Sequence, residues 1–347
     1  MLVKTPPLSP RPIADESTER EPGDRRGKDP WIEALEVAYR LKVTPGTRLL
    51  LAVSGGCDSA ALLFGSVRTS TALGLECEVA CLDHGLRPES PEEVRAVSAW
   101  CAALDVPFHT RALKLAPGPG LEARARDARY RALEEIRLNQ SLAATVTAHT
   151  ASDQAETLLM RLCRGTALRG ARGIHASAYS LLRPLLGLTR AEAEAFIARM
   201  GVRPFEDATN RDLTFLRARI RHQLLPRFAA VSGTPADGLA RRLARFSENA
   251  SEDEALLEAM ADQAFARVAL AGGELDAEGW ECLPGPLRRR TLVKWIESAG
   301  LAVDGALLNR CEAAVRSRGR ATLPGDFRLE ASNGRIRCVR LPGRRRN

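Results

Sequence analysis

The sequence predicts an α/β protein: a doubly wound parallel sheet, followed by a smaller, mainly helical C-terminal domain that ends in a β-hairpin. Three observations carry this. From Trp31 to about Ala148, short apolar runs alternate with helical segments, the βαβ pattern of a parallel sheet. One of those runs, Leu49–Val53, breaks into Ser54-Gly55-Gly56 and then opens a helix, an arrangement that gathers backbone N–H groups on an anion. Near the C-terminus two β-type runs flank Asn333-Gly334, the strongest short-range signal of a two-residue hairpin turn.

Taken in order, residues 1–30 are rich in proline and charge and lack an apolar core. They cannot be a secretory signal and are expected to form a disordered extension. Strands are expected at Leu49–Val53, Cys77–Leu82, Pro107–Leu113 and Leu142–Ala148, with helices at Ala60–Ser70, Pro91–Leu104 and Leu121–Leu138. A second helical region runs from about Arg190 to Arg227. Ser232-Gly233-Thr234-Pro235 reads as a hinge, which sets the expected domains at 31–230 and 235–347. Helices follow at Ala240–Ala266 and Pro286–Gly300, before the hairpin over Thr322–Val339.

A chain of 347 residues with 45% hydrophobic content is long enough for two real cores. No run approaches the roughly 18 apolar residues of a membrane span, so a cytoplasmic location with no membrane partner is expected. The eight cysteines are scattered without a Cys-x-x-Cys pair, which argues against zinc ribbons, iron–sulfur clusters and a secreted disulfide framework. The net charge of +8 is unevenly spread. Arg211–Arg245 holds eight arginines against Asp212 and Asp237, and Arg288 to the end holds fifteen Lys/Arg against five acids. Glu248–Glu281 between them is net acidic. Basic blocks of this kind suit a polyanionic partner.

The stretch Ala52, Val53, Ser54, Gly55, Gly56, Cys57, Asp58, Ser59 is assigned to a nucleotide phosphate. Gly55 and Gly56 allow positive φ and close backbone approach. The hydroxyls of Ser54 and Ser59 add donors, and Asp58 is placed to hold magnesium against phosphate oxygens. A Walker loop is excluded, because the only Gly-Lys is Gly27-Lys28, followed by Asp29. At the second strand end, Asp83-His84-Gly85-Leu86-Arg87 puts His84 and Arg87 within reach of phosphate. Arg126, Arg129 and Tyr130 share a helical face that offers two cations and a ring. The fourth strand ends at His149, and Asp153 and Glu156 lie at i,i+3 at the next helix N-terminus, suited to magnesium or an ammonium group. Arg164-Gly165 begins a basic, glycine-containing turn suited to phosphate. Arg217, Arg219 and Arg221 alternate in a way poor for a buried helix and good for reaching phosphates.

In this order, SGGCDS, DHGLR, EARARDARY, HTASDQAET, RGTALRG, RPLL, EDATN and FLRARIRHQLLP resemble the tRNA(Ile)-lysidine synthetases of the PP-loop ATP pyrophosphatase superfamily, over about Leu49–Pro226. The likeness continues more weakly through Leu283–Arg290 and the terminal hairpin. Ser152 stands where many relatives have Asp, Ala167 where Gly is usual, and Ala218 where Asn is usual. The resemblance implies a PP-loop catalytic domain and a C-terminal tRNA-binding domain. Their substrates would be ATP with Mg2+, free L-lysine, and tRNA(Ile) with a CAU anticodon. It implies nucleotide contacts at the glycine turn, Asp83, His84, Arg87, His149, Arg164 and Gly165. Catalysis would fall to Asp58, Arg126, Asp153 and Glu156, with the last two also holding lysine. Arg129, Arg217, Arg219, Arg221, Arg288, Arg289 and Arg290 would contact tRNA. A tRNA-thiolating enzyme of the same superfamily would want paired cysteines, and a non-catalytic RNA-binding protein would not need the intact phosphate loop. The oligomeric state is open, and a homodimer is compatible with the sequence.

Overall fold

The computed structural model describes residues 29–83, 85, 90–113, 118, 120–178, 180–205 and 212–341. The expected extension up to residue 28, His84, Arg87 and the Glu206–Asn210 motif lie outside the described residues. Helix α1 (Pro30–Arg40) starts on Asp29, whose carboxylate accepts from the Trp31 N–H at 2.9 Å, with Pro30 at the first helical position.

Next come β1 (Arg48–Ala52), α2 (Cys57–Leu73), β2 (Glu76–Asp83), α3 (Ser90–Ala103), β3 (Phe108–Ala112) and α4 (Leu121–Asn139). They are followed by β4 (Ala144–Thr147), α5 (Ala151–Cys163), the short α6 (Leu168–Ala171), β5 (Ser177–Ala178), β6 (Leu181–Leu182) and α7 (Arg190–Arg199). The sheet order is β3-β2-β1-β4-β6-β5, parallel except that β5 runs against β6. Leu49 and Leu51 face the core that holds Trp31, Leu63 and Phe196, while Leu50 packs with Leu133 and Ile136 on the other side. Burial on both faces explains why β1 reads as an unbroken apolar run. The order reverses at β1, which pairs with β2 on one edge and β4 on the other, so the ligand crevice lies beyond the ends of β1 and β4.

Among the described residues, the helical region expected from Arg190 to Arg227 falls into separate pieces: helix α7 stops at Arg199, and α8 (Leu216–Arg219), a π turn (Ile220–Leu224) and α9 (Leu225–Ser232) follow. The π turn sits just before Pro226, whose ring would clash with the carbonyl four residues back in a regular α-helix. Gly233, at φ 60°, closes α9, and α10 (Ala236–Val268) starts almost at once. The chain divides into compact units 1–249 and 250–347, inside α10 rather than at the Ser232–Pro235 turn.

The second unit adds β7 (Leu275–Asp276), α11 (Ala277–Glu281), α12 (Gly285–Ser298), α13 (Gly305–Arg316), β8 (Arg320–Leu323), β9 (Phe327–Ser332) and β10 (Arg335–Arg340). Its antiparallel order is β7-β10-β9-β8 around Trp280, Leu292, Trp295, Leu329 and Ile336. The expected hairpin is β9–β10, turning at Asn333 (φ 51°) and Gly334 (φ 70°). Among the described residues, no helix is long and apolar enough to cross a membrane.

Candidate active site

The glycine turn is held from both sides. Val53 N–H still donates to Ala80 O at 2.9 Å, and Phe205 N–H donates to Gly55 O at 2.9 Å. Gly55 has φ 84°, a left-handed backbone that favours glycine, while a Cβ there would meet the Phe205 ring only at ordinary contact distance, 3.4 Å. Ser59 was expected to donate to phosphate, but its hydroxyl donates to Gly56 O at 2.8 Å and accepts from Ser54 N–H at 3.1 Å. Ser59 therefore shapes the loop. Helix α2 starts without a side-chain cap, which leaves its first-turn amides to a ligand. Burial, then the Asp58 charge, pushes the Cys57 thiol up to about 12, which makes it inert as a nucleophile.

Beside this turn the N-termini of α2, α5 and α7 converge. Thr150 caps α5 in a reciprocal box: the Asp153 Oδ2 atom accepts from Thr150 N–H at 2.8 Å and from its hydroxyl at 3.1 Å. Asp153 Oδ1 and Glu156, both buried, face two arginines. Arg217 donates from Nη2 to Asp153 Oδ1 and from Nε to Glu156 Oε2, each at 2.6 Å. Arg221 donates from Nε to Glu156 Oε1 at 2.6 Å and from Nη2 to Oε2 at 2.9 Å. Arg190, the first residue of α7, donates to Asp58 Oδ2 at 2.8 Å and stands 3.8 Å from Asp153 Oδ1. Its own N–H donates to Ser152 Oγ at 3.1 Å.

Burial raises the Asp153 pKa, but Arg217, Arg190 and the Thr150 N–H outweigh it and hold the carboxyl below its ordinary range. At Asp58 burial wins: against Arg190, and with help from the Asp153 charge, it pushes the carboxyl up to about 6. Asp58 Oδ1 is buried and has no hydrogen-bond partner. An orphaned carboxylate oxygen beside a phosphate loop fits a hard divalent cation, which commonly takes one or two carboxylates plus phosphate oxygens. No cluster of three or more His, Cys, Asp or Glu suited to a metal occurs among the described residues.

Facing this cluster, Arg126 and Arg129 stand 5.3 and 5.4 Å from the Tyr130 ring centroid. Burial raises the Tyr130 phenol, but Arg126, Arg183 and Arg129 outweigh it and hold it below its ordinary value. His149 Nδ1 lies 2.9 Å from Thr147 Oγ1. Burial, reinforced by Arg183, Arg129 and Arg126 against Asp153, lowers His149 to about 4, so it is neutral at pH 7. The face of α4 and the end of β4 thus share one field with the acids of α5.

Other expected residues are placed differently. Arg164 and Gly165 lie beyond the far end of α5, about 16 Å along the helix from Asp153 at about 1.5 Å per residue. The turn they begin is braced by Gln154, which bonds to Ile174 and Arg172, and by Arg161, which donates to Gly170 O and Gly173 O at 2.8 and 2.9 Å. Asp83 accepts from Gly85 N–H at 2.8 Å and closes its own turn. Arg217 and Arg221 point at carboxylates rather than outward, and Arg219 braces Leu213 O and Thr214 O at 3.0 and 2.9 Å. In the second unit Arg288 lies 5.8 Å over Trp280, Arg289 pairs with Glu312 at 3.3 Å, and Arg290 pairs with Glu254. Their expected role in tRNA binding meets guanidiniums already committed to internal partners. Ala167 has φ −99°, which any residue adopts, and Ala218 is buried.

Sequence reading gave no site role to Arg190, nor to Arg183 at the head of the RPLL run. The Thr189-x-x-Glu192 capping box was a signal that α7 begins at Arg190, but nothing local links it to Asp58, 132 residues away.

Residues 33–228 match the PP-loop domain family. A tRNA(Ile)-lysidine synthase of Novosphingobium aromaticivorans is 40% identical over 314 residues, 87% of this chain and 91% of the relative. One of Salinispora tropica is 36% identical over 304 residues, 84% of this chain and 90% of the relative. A solved U34-tRNA thiolase of Methanococcus maripaludis superposes with TM-score 0.53 at 12% identity, covering 64% of this chain and 80% of that one, a likeness of fold alone.

Proposed function

The chain belongs to the tRNA(Ile)-lysidine synthase family, and from that premise we propose that it ligates free lysine to C2 of the wobble cytidine in the CAU anticodon of tRNA(Ile), in the cytoplasm, changing decoding from AUG to AUA. The cytidine O2 attacks the α-phosphorus of ATP and pyrophosphate leaves. The ε-amine of lysine then attacks C2 and displaces AMP, after losing a proton. The observation that carries this reading is the convergence, at the ends of β1 and β4, of a phosphate-binding turn, an unpartnered Asp58 oxygen and a buried carboxylate pair.

The roles follow from the chemistry. Backbone amides of Gly55, Gly56 and the first turn of α2 hold the phosphates. Asp58 is the residue that would hold magnesium, whose charge would offset the charge developing around the transferring phosphorus. Arg126 and Arg129 meet the activated nucleotide and its phosphate. Asp153 and Glu156 receive the ammonium of lysine, a reading supported by the two guanidiniums, Arg217 and Arg221, that the pair already takes. The cytidine must leave its stack to enter, which suits a loop nucleotide. The test is mass spectrometry of nucleosides from a CAU-anticodon tRNA(Ile) incubated with protein, ATP and lysine. Lysidine in place of the wobble cytidine is expected, and unmodified cytidine overturns the reading.

A further inference from the structure

Arg190 breaks a local rule. A cation in the first turn of a helix opposes the helix dipole, yet Arg190 opens α7 directly behind the Thr189 cap. Rule-breaking residues without a local gain point to function. The side chain is not idle: its guanidinium meets Asp58 at 2.8 Å and reaches toward Asp153 at 3.8 Å, while its N–H is tied to Ser152. Three guanidiniums (Arg190, Arg217, Arg221) thus face three carboxylates (Asp58, Asp153, Glu156). Arg217 and Arg221 serve Glu156 and Asp153; Arg190 alone donates to Asp58 among the described residues.

We propose that Arg190 is a positioning residue that acts as a resident counter-cation: it occupies Asp58 in the nucleotide-free site and keeps a divalent metal from binding there without ATP. This inference rests on the reading that a metal–nucleotide complex binds at the glycine turn. A bare dication entering the balanced cluster would meet the Arg190 charge within a few ångströms. A metal arriving with triphosphate brings its own negative charge, so Arg190 can leave Asp58 and turn to the phosphates. Metal and nucleotide binding are coupled by that exchange, and the Asp58 carboxylate is held in place in the meantime.

The probe is Mn2+, a hard dication counted by its EPR signal, with and without ATP. Wild-type protein should bind Mn2+ weakly alone and well with ATP. Arg190→Met keeps the aliphatic stem and removes the charge. It should bind Mn2+ without ATP at least about tenfold more tightly, with one decade per about 1.4 kcal/mol, and should lose most of the coupling to ATP. Arg190→Lys should behave like wild type, and Arg190→Gln serves the same measurement where Met folds poorly. ATP-free Mn2+ affinity unchanged in the uncharged variants overturns the counter-cation role. If wild-type protein does not bind Mn2+ even with ATP, the nucleotide-site reading fails instead.

Discussion

Two clusters of acids and arginines, one in each compact unit, use the same chemistry to different ends. In the first unit Asp58, Asp153 and Glu156 face Arg190, Arg217 and Arg221. In the second, Glu254 and Glu258 on α10 face Arg290 and Lys294 on α12, and Glu312 on α13 takes Arg289 and Arg316. Composition alone cannot tell them apart. What differs is position and completeness. The first lies where three helix N-termini meet a glycine turn at a topological switch point, and leaves a buried carboxylate oxygen without a partner. The second joins helix flanks, and what it leaves buried without a hydrogen bond is a donor, Arg290 Nε, rather than a carboxylate oxygen able to take a cation. A site is marked by what its ion pairs leave undone.

The sharpest separation comes from Asp58→Ala. It should abolish AMP and pyrophosphate release while the thermal transition stays close to that of the parent. Normal turnover would make the first cluster as structural as the second. Next in size, Asp153→Asn should raise the lysine requirement about a hundredfold, since losing one carboxylate partner of a buried cation costs a few kcal/mol. Adenylated tRNA should still form. Lost adenylation with unchanged lysine affinity would move the carboxylate pair to the metal.

In the second cluster the loss should appear as stability. Glu254→Ala removes the nearer of the two carboxylates on Arg290, leaving Glu258 at 3.6 Å, and should cost about 3 kcal/mol in urea unfolding, with ATP affinity unchanged. A shift in ATP affinity would erase the contrast between the units.

A pH series adds a smaller, directional effect. Ligation should fall below about pH 6 as Asp58 takes up its proton. The folded carboxyl binds that proton more tightly than an unfolded Asp, which titrates near 3.9. Asp58 therefore contributes stability below about pH 4 that is lost as pH rises through about 6. Asp58→Asn should melt higher than the parent at pH 8 and level with it at pH 4; the reverse order would show that Arg190, not burial, dominates there. The smallest effect concerns RNA. Neutralising Arg288–Arg290 should leave the salt slope of tRNA binding within about one of the parent, and a fall of roughly two or more would make them outward phosphate contacts.

Much of the first unit was legible because its signals are local. An apolar run, a glycine turn and a helix start specify β1, the loop and α2 within some twenty residues, and Asn333-Gly334 specifies its hairpin as directly. The two-residue strands β5 and β6 carry too few residues for a period, and β7 is fixed by its pairing with the distant β10. At the site, residue types were legible and partners were not. Arg217 and Arg221 read as cations looking for phosphate, because nothing between Arg217 and Asp153, 64 residues earlier, announces that α8 and the π turn after it bring them onto α5. Likewise the basic block at Arg288–Arg290 looked like a footprint, and its acids come from Glu254 and Glu312 on other helices.

The Asp153 carboxylate has its two oxygens on different duties: Oδ2 closes the first turn of α5, and Oδ1 meets the guanidinium of Arg217. Its side-chain torsions are therefore fixed by the backbone of the helix before any substrate arrives. An untethered acid surrenders rotamer freedom on gripping a ligand, at about 0.5–1.5 kcal/mol for an immobilised side chain. Asp153 gave up that entropy when the chain folded, so a cation that replaces Arg217 on Oδ1 meets an oxygen already held still.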